Sequence, residues 1–183
     1  MIKIEIRRPR AEDINELHHF FRTVIEDTFI KEGIGNQLEG LEAEIEYKKA
    51  YFTDDLASNG ENRFFLLALE REKIIGTIEH GEASDLICKC TDNALKQLHE
   101  VGTVFVHPDF QRKGVGNLLL KNMYRTLLNK GIREFCLDSG YARAQNIWKK
   151  KFGEPSYFLE NYWGEGYHHM IWKINVRESI GDV

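Results

Sequence analysis

The segment that decides the fold is Val104–Asn117, which reads VFVHPDFQRKGVGN. It begins as an apolar strand that Pro108 stops, and it leads into an amphipathic helix predicted over residues 114–130. Gly114 and Gly116 lie at the turn between the strand and the helix. Because glycine has no Cβ, the backbone of this turn can come close to a ligand.

The start of that helix is suited to bind an anion. Its first backbone N–H groups have no acceptor inside the helix, and the helix dipole adds positive charge there. Arg112 and Lys113 add two side-chain cations. The segment therefore predicts a diphosphate ligand over the loop, although a tight strand-to-helix connection without a ligand would also use two glycines. The G-x-x-x-x-G-K-[ST] and G-x-G-x-x-G loops are both absent, which disfavours a nucleoside triphosphatase and a Rossmann protein.

Hydrophobic periodicity predicts the elements on both sides of the segment. Before it, we expect a strand over residues 2–6, helices over 11–31 and 38–56, and strands over 63–70, 73–82 and 100–106. After the helix at 114–130, we expect a strand over 133–138, a helix over 141–152, and a strand pair at 157–162 and 167–176. This order predicts an α/β fold (α+β, with a mixed sheet flanked by helices) in one domain over residues 1–183. Residues 84–98 form a loop or short-helix insertion, with the helix expected near residues 93–98.

Composition excludes several classes of protein. Hydrophobic residues make up 42% of the 183 residues, enough for one packed core. No segment approaches the roughly 20 apolar residues that span a bilayer, and the N-terminus lacks the apolar region of a signal peptide. Three cysteines are too few, and odd in number, for a disulfide framework. We therefore expect a cytoplasmic protein with no membrane partner.

Charge is distributed unevenly along the chain. Residues 1–100 carry 13 Lys and Arg and 21 Asp and Glu, a balance of −8, whereas residues 101–183 carry 12 and 8, a balance of +4. A nucleic-acid-binding protein would more often be basic overall, so no nucleic-acid partner is expected. The asymmetry is either ordinary solvated surface or an acidic acceptor side beside a basic side for an anionic cofactor.

The loop resembles that of a known family. Gln111–Gly116, after the strand and Pro108, is similar to the Q/R-x-x-G-x-G/A acyl-CoA loop of the GNAT superfamily, in which the loop N–H groups hold the CoA pyrophosphate. The order of the elements over nearly the whole chain also fits that fold, and Ala144–Gly153 resembles its next helix. The resemblance implies a central mixed, mostly antiparallel sheet that splays between the cofactor strand and the next strand.

The same resemblance implies an acetyl-CoA-dependent N-acetyltransferase that moves an acetyl group to a primary amine by direct attack. It implies acetyl-CoA as cosubstrate, with backbone groups of the cofactor strand holding the pantetheine arm. The expected cofactor contacts are Val104, Phe105, Val106, Gln111, Arg112, Lys113, Gly114, Val115, Gly116, Asn117 and Trp148. Homodimers are common among such proteins, and the oligomeric state is left open.

Two further residues are candidates for proton transfer. Glu100, at the start of the cofactor strand, is the candidate base, acting directly or through water, although a solvated strand-end carboxylate reads equally well. Glu79 and His80, on the preceding strand, are weaker candidates. The family often places a tyrosine acid where this chain has Trp148, whose indole N–H is not a general acid. Either Tyr141 is the acid in place of the family's tyrosine, or the thiolate leaves without an acid. In the second case Tyr141 is only an aromatic residue at the start of the helix.

Other patterns in the sequence are weaker evidence of function than the loop. Cys88 and Cys90 with nearby histidines do not supply the four ligands of a structural zinc site, so no metal is expected. The acidic first half favours a small cationic amine as acceptor. Two alternatives stay open: a protein amine as acceptor, and a non-catalytic module that senses acyl-CoA. The sequence identifies neither the acceptor nor the preferred length of the acyl chain.

Overall fold

The computed structural model describes residues 3–179, so Ile2 of the predicted first strand lies outside the described residues. The strands are β1 (Ile4–Arg7), β2 (Arg63–Glu70), β3 (Lys73–Glu82), β4 (His99–Val106), β5 (Glu134–Ser139), β6 (Tyr157–Gly164) and β7 (Tyr167–Asn175). The helices are α1 (Ile14–Lys31), α2 (Leu38–Ser58), α3 (Asp85–Cys90), α4 (Val115–Asn129), α5 (Ala142–Phe152) and α6 (Val176–Ser179). Single 3-10 turns lie at Ala11–Asp13 and Pro108–Phe110.

The strands form a seven-stranded sheet in the order β1-β2-β3-β4-β5-β7-β6. Strand β1 pairs antiparallel with β2, and β7 pairs antiparallel with both β5 and β6. Strand β5 pairs in parallel with the first residues of β4, through His99↔Phe135 and Glu100↔Cys136. The predicted mixed sheet flanked by helices is therefore confirmed.

By internal contacts the chain divides into two compact units. The first unit comprises Met1–His80 and Thr103–Met123, and the second comprises Gly81–Gly102 and Tyr124–Val183. The prediction of one domain over residues 1–183 stays a prediction.

The first unit is built around aromatic side chains. One apolar face of α1 is buried, because Leu17, Phe20, Phe21, Val24 and Ile25 are each less than 5% exposed. The ring of Phe65 on β2 contacts one aromatic ring from each of α1 and α2. The ring centroids lie 6.4 Å apart for Phe21 of α1 and 5.8 Å apart for Phe52 of α2. This aromatic contact fixes α1 and α2 on the sheet.

The second unit has its own core, in which Ile87, Leu95, Cys136 and Ile171 pack together. The insertion contributes two of these residues, but its helix was placed wrongly: it is α3, at Asp85–Cys90, not residues 93–98. Ser84 begins α3, because its hydroxyl accepts a hydrogen bond from the Ile87 N–H at 3.4 Å. Residues 91–97 are turns, and Asp92 and Asn93 both have positive φ, which no α-helix accommodates.

Candidate active site

The β4–α4 loop lies in the first unit and is held by backbone and side-chain bonds. The His107 N–H donates to the Ile75 carbonyl at 2.9 Å, and the Phe110 N–H closes a turn on the His107 carbonyl at 2.8 Å. The Gln111 side chain donates to the Val106 carbonyl at 3.2 Å and accepts from Lys31 Nζ at 3.2 Å. Gln111 therefore braces the loop from the side.

The loop reaches α4 through two residues in the left-handed region, Arg112 at φ 59° and Gly114 at φ 84°. A Cβ on Gly114 would meet no protein atom within 4 Å, so that side of the loop opens to space. Val115 is 1% exposed and anchors the first turn of α4, whose first regular bond runs from Leu118 N–H to the Gly114 carbonyl at 3.0 Å. The N–H groups before Leu118 have no helical acceptor, which leaves them for an anion.

Charge and exposure at the loop also suit an anion. The side chains of Arg112 and Lys113 are exposed, with Lys113 Nζ 5.1 Å from the ring centroid of Phe110. Gly114 and Asn117 are exposed too, whereas Val104, Phe105, Val106 and Gly116 are half-buried. The structure thus brings the ten loop and strand residues of the predicted cofactor set into one continuous segment of the first unit.

The same unit contains a buried ion pair, whose carboxylate belongs to Glu79, named in the sequence analysis as a weaker candidate base. Arg63 donates to Glu79 at 2.8 Å, with their side chains 8% and 0% exposed. Burial raises the pKa of Glu79, and the charge of Arg63 opposes that rise. The guanidinium of Arg63 also lies 3.6 Å from the centroid of the Tyr51 ring. His80, the other minor candidate, is 3% exposed.

The ion pair supports an unusual point in β4. Thr103 has φ 48°, a conformation that β-branched residues rarely adopt. Its hydroxyl donates to Glu79 at 3.2 Å, and its carbonyl accepts from the Thr77 hydroxyl at 2.8 Å. Two side chains of β3 therefore fix the backbone immediately before Val104, where the pantetheine contacts are expected.

The candidate base Glu100 lies in the second unit. It is 7% exposed, and its Oε2 accepts from the Ser84 N–H at 2.7 Å. Glu100 is therefore not the solvated strand-end carboxylate of the alternative interpretation. Glu100 is paired with Cys136 on the neighbouring strand β5. The pKa of the Cys136 thiol is raised by burial and further by the charges of Glu100 and Asp138.

The two aromatic candidates lie on or next to α5, in the second unit. Tyr141 precedes the helix and is half-buried, and its N–H donates to the Ser139 hydroxyl at 3.1 Å. Trp148 is 8% exposed and stacks on Phe152, with ring centroids 5.8 Å apart and planes 18° apart. Trp148 therefore packs as a core residue of α5.

Sequence reasoning missed a chain of hydrogen bonds in the second unit. The Trp163 indole N–H donates to His169 Nδ1 at 3.2 Å, and His169 Nε2 lies 2.9 Å from Asp138 Oδ2. Gly140 leaves room for it, since a Cβ there would lie 2.8 Å from Trp163 Nε1. The three residues belong to β6, β7 and β5 and have no common motif, so only the strand pairing brings them together.

Two features are absent from the described residues. Across residues 3–179, no helix is both long and apolar enough to cross a membrane. Over the same residues, no three His, Cys, Asp or Glu side chains come together as potential metal ligands.

Comparisons with solved structures identify the fold. A GNAT-family protein from Desulfovibrio desulfuricans superposes with a TM-score of 0.71 at 15% identity, over 95% of this chain and 99% of that one. PaiA N-acetyltransferase from Thermoplasma acidophilum, solved with coenzyme A, gives 0.66 at 21% identity, over 94% and 100%. The ribosomal-protein-S18-alanine N-acetyltransferase from Escherichia coli gives 0.60 at 17% identity, over 95% and 94%. At these identities the similarity shows the fold alone.

A search of curated proteins found no match. The family model described as the acetyltransferase (GNAT) family matches residues 35–154, a range that includes the β4–α4 loop and the whole of α5. On that match, the chain belongs to the GNAT family of acetyltransferases.

Proposed function

We propose that the protein transfers an acetyl group from acetyl-CoA to the primary amine of a small cationic acceptor. The observation that carries the proposal is the β4–α4 loop, where helix N–H groups, an open Gly114 and two exposed cations lie together in a chain of the GNAT family. A pyrophosphate is the anion that suits this set of donors. The PaiA structure, of the same fold, contains coenzyme A.

In the proposed reaction the acceptor nitrogen attacks the thioester carbonyl carbon, and the carbon–sulfur bond breaks. Loop N–H groups of residues 114–117 hold the pyrophosphate, and backbone groups of Val104 and Val106 hold the pantetheine arm. Glu100 accepts the proton that the nitrogen loses, directly or through water, and the thiolate takes up a proton from Tyr141 or from solvent. Glu79 is less suited to this role, because Arg63 and Thr103 already occupy its buried carboxylate.

Isothermal titration with acetyl-CoA, with ATP and NADH as controls, tests the cofactor. We expect saturable binding of acetyl-CoA and no comparable binding of either nucleotide. A folded protein that does not bind acetyl-CoA would contradict the proposal. If acetyl-CoA binds, thiol release is then measured against a panel of primary amines.

The role of Glu100 is tested with Glu100→Gln, which keeps an acceptor for the Ser84 N–H. We expect turnover to fall by about a hundredfold or more, the usual size of a general-base contribution, with acetyl-CoA affinity nearly unchanged. The pH profile of kcat/KM should lose its acidic limb. Glu134→Gln, on the surface of β5, is the control. Unchanged turnover would remove Glu100 from the catalytic role.

A non-catalytic acyl-CoA sensor is the second candidate. It is supported by Trp148, which is packed against Phe152 at the position where many family members have an acid. A sensor would bind acetyl-CoA tightly and release no thiol with any amine of the panel. A protein amine as acceptor is the third candidate, and peptides with free N-termini in the same panel would identify it.

Location and assembly remain proposals. We propose a cytoplasmic enzyme, which is supported by the free thiols of Cys88, Cys90 and Cys136. Homodimer formation is a prediction that size-exclusion chromatography with light scattering would test.

A further inference from the structure

The Trp163–His169–Asp138 chain has no part in the mechanism proposed above, yet it holds a histidine inside the second unit with both ring nitrogens engaged. The His169 side chain is 3% exposed, while that of Asp138 is 20% exposed and Trp163 is 55% exposed. The chain therefore runs from an exposed indole, through a buried imidazole, to a carboxylate that reaches solvent.

The donor at His169 Nδ1 determines the tautomer of His169. An indole N–H can only donate, so His169 Nδ1 must accept and carries no proton. His169 is then the neutral tautomer with its proton on Nε2, from which it donates to Asp138 Oδ2. A neutral donor orients the carboxylate without cancelling its charge. Asp138 faces His169 at 2.9 Å, and the ring centroid of Tyr162, which is also titratable, lies 5.7 Å from that of His169.

Two aromatic side chains surround the His169 end of this chain. The rings of Trp163 and Tyr162 each lie 5.7 Å from His169, and they contact each other edge-to-face at 4.9 Å. The Trp163 N–H is used on His169, and Trp163 is nevertheless 55% exposed. The Asp138 carboxylate, held by His169 and still reaching solvent, can accept a charge-assisted hydrogen bond from an organic ammonium group.

We propose that Asp138, oriented by His169 and Trp163, binds the ammonium group of the acceptor. This inference rests on the proposed function, because only an acetyl transfer has an acceptor amine. It adds the residues that would select a cationic amine as that acceptor. Asp138 makes the contact, and His169 and Trp163 are positioning residues. This recognition contact is distinct from the proton transfer proposed for Glu100.

The test measures binding of a small probe without acetyl-CoA, by following the Trp163 indole N–H in ¹⁵N-labelled protein as n-butylammonium chloride is added. Trp163→Phe identifies the resonance among the three tryptophans. We expect a saturable shift with n-butylammonium and none with n-butanol, which has the same length and no charge. No saturable shift, or an equal shift with both compounds, would overturn the proposal.

Two pairs of variants locate the contact. Asp138→Asn keeps the acceptor for His169 but removes the charge, and we expect the dissociation constant to rise about tenfold or more, the size of one charge-assisted hydrogen bond. Glu134→Gln, four residues earlier on β5 and paired with Lys173 at 3.1 Å, is the matched control and should bind as the wild type does. His169→Gln retains a donor and an acceptor and should keep most of the affinity, whereas His169→Phe should lose it.

The outcomes separate this inference from the proposed function, because acetyl-CoA binding is titrated on the same samples. If acetyl-CoA binds but Asp138→Asn leaves n-butylammonium binding unchanged, the ammonium site is wrong and the cofactor assignment stands. If n-butylammonium binds through Asp138 and acetyl-CoA does not bind, the ammonium site stands and the proposed function fails. Loss of binding in both His169 variants would remove His169 as a positioning residue.

Discussion

Arg63 and Glu79 form an ion pair from which solvent is almost excluded. Taking two charges out of water costs several kcal/mol each, and only close pairing recovers that cost. Here the 2.8 Å bond, the Thr103 hydroxyl and the Tyr51 ring surround the pair. Arg63 and Glu79 therefore depend on each other, because removal of either one leaves the other as a buried charge without its ionic partner.

We predict that Arg63→Met destabilises the protein by about 3–5 kcal/mol, because Glu79 is left as an uncompensated buried carboxylate. Since burial raises the pKa of Glu79, the folded variant gains stability when that group is protonated and loses it as pH rises. The destabilisation should thus be larger at pH 8 than at pH 5 in urea unfolding. Arg63→Met/Glu79→Gln should regain much of the loss; a double variant no more stable than Arg63→Met would contradict this account.

A second ion pair, between Arg7 and Asp13, should make part of the free energy of unfolding depend on pH in acid. Arg7 donates to Asp13 at 2.7 and 2.9 Å, which with the Arg10 N–H lowers the pKa of Asp13 below its ordinary value of 3.8. A lowered folded pKa gives stability that is present above the unfolded pKa and is lost as pH falls through the folded one. Asp13→Asn should therefore cost about 1.5–3 kcal/mol at pH 7 and distinctly less at pH 3. An equal cost at both pH values, from urea midpoints, would refute the linkage.

The elements with strong local signals were predicted, and those that depend on distant contacts were not. The bounds of β2 and β3 agree with the sequence, because the tight turn between Glu70 and Lys73 separates the Phe- and Leu-rich run of β2 from the Ile-containing run of β3. The position of α3 could not be predicted from periodicity, since a six-residue helix shows too little of it and begins at a serine cap. The positive φ of Thr103 has no local signal at all, because Thr77 and Glu79 impose it from the neighbouring strand.

The β4–α4 loop gives the sharpest prediction at the scale of elements. Gly114→Val should lower acetyl-CoA affinity by about a hundredfold, the loss of one or two charge-assisted bonds, because a side chain would enter the open side of the loop. Gly131→Val is the matched control: Gly131 ends α4 with φ 76°, and its Cβ would also meet nothing within 4 Å. Both variants carry similar backbone strain, so equal losses of affinity in the two would contradict the placement of the cofactor.

For the whole molecule, the proposed function predicts stabilisation by ligand. Acetyl-CoA at 100 times its dissociation constant should add about 2.7 kcal/mol of stability, because it binds only the folded chain. In a chain of this length that corresponds to a rise in Tm of roughly 5–11 °C, read by differential scanning fluorimetry. ATP at the same concentration is the control. If acetyl-CoA and ATP raise the Tm by the same amount, the stabilisation comes from non-specific anion binding.

The family and the cofactor loop were predictable because both depend on residues that are contiguous in the chain. The Trp163–His169–Asp138 chain was not, because its members lie on three strands and its meaning depends on which nitrogen carries a proton. The exposure of Glu100 was likewise undetermined, since α3 and Ser84 bury it through a bond between residues 16 apart. In this protein the sequence thus predicted the likeness to other proteins better than the residues that would select its acceptor.

The irregular strand β6 has a consequence for solubility. It is the last strand in the order of the sheet, and it exposes Phe158 and Trp163, so a regular edge here would be a template for aggregation. Its register with β7 shifts between Leu159 and Gly164, and Asn161, at φ 53°, accepts a hydrogen bond from the Gly166 N–H at 2.8 Å. A strand interrupted in this way offers an incoming chain only a short ladder of hydrogen bonds, which protects the aromatic edge from adding further strands.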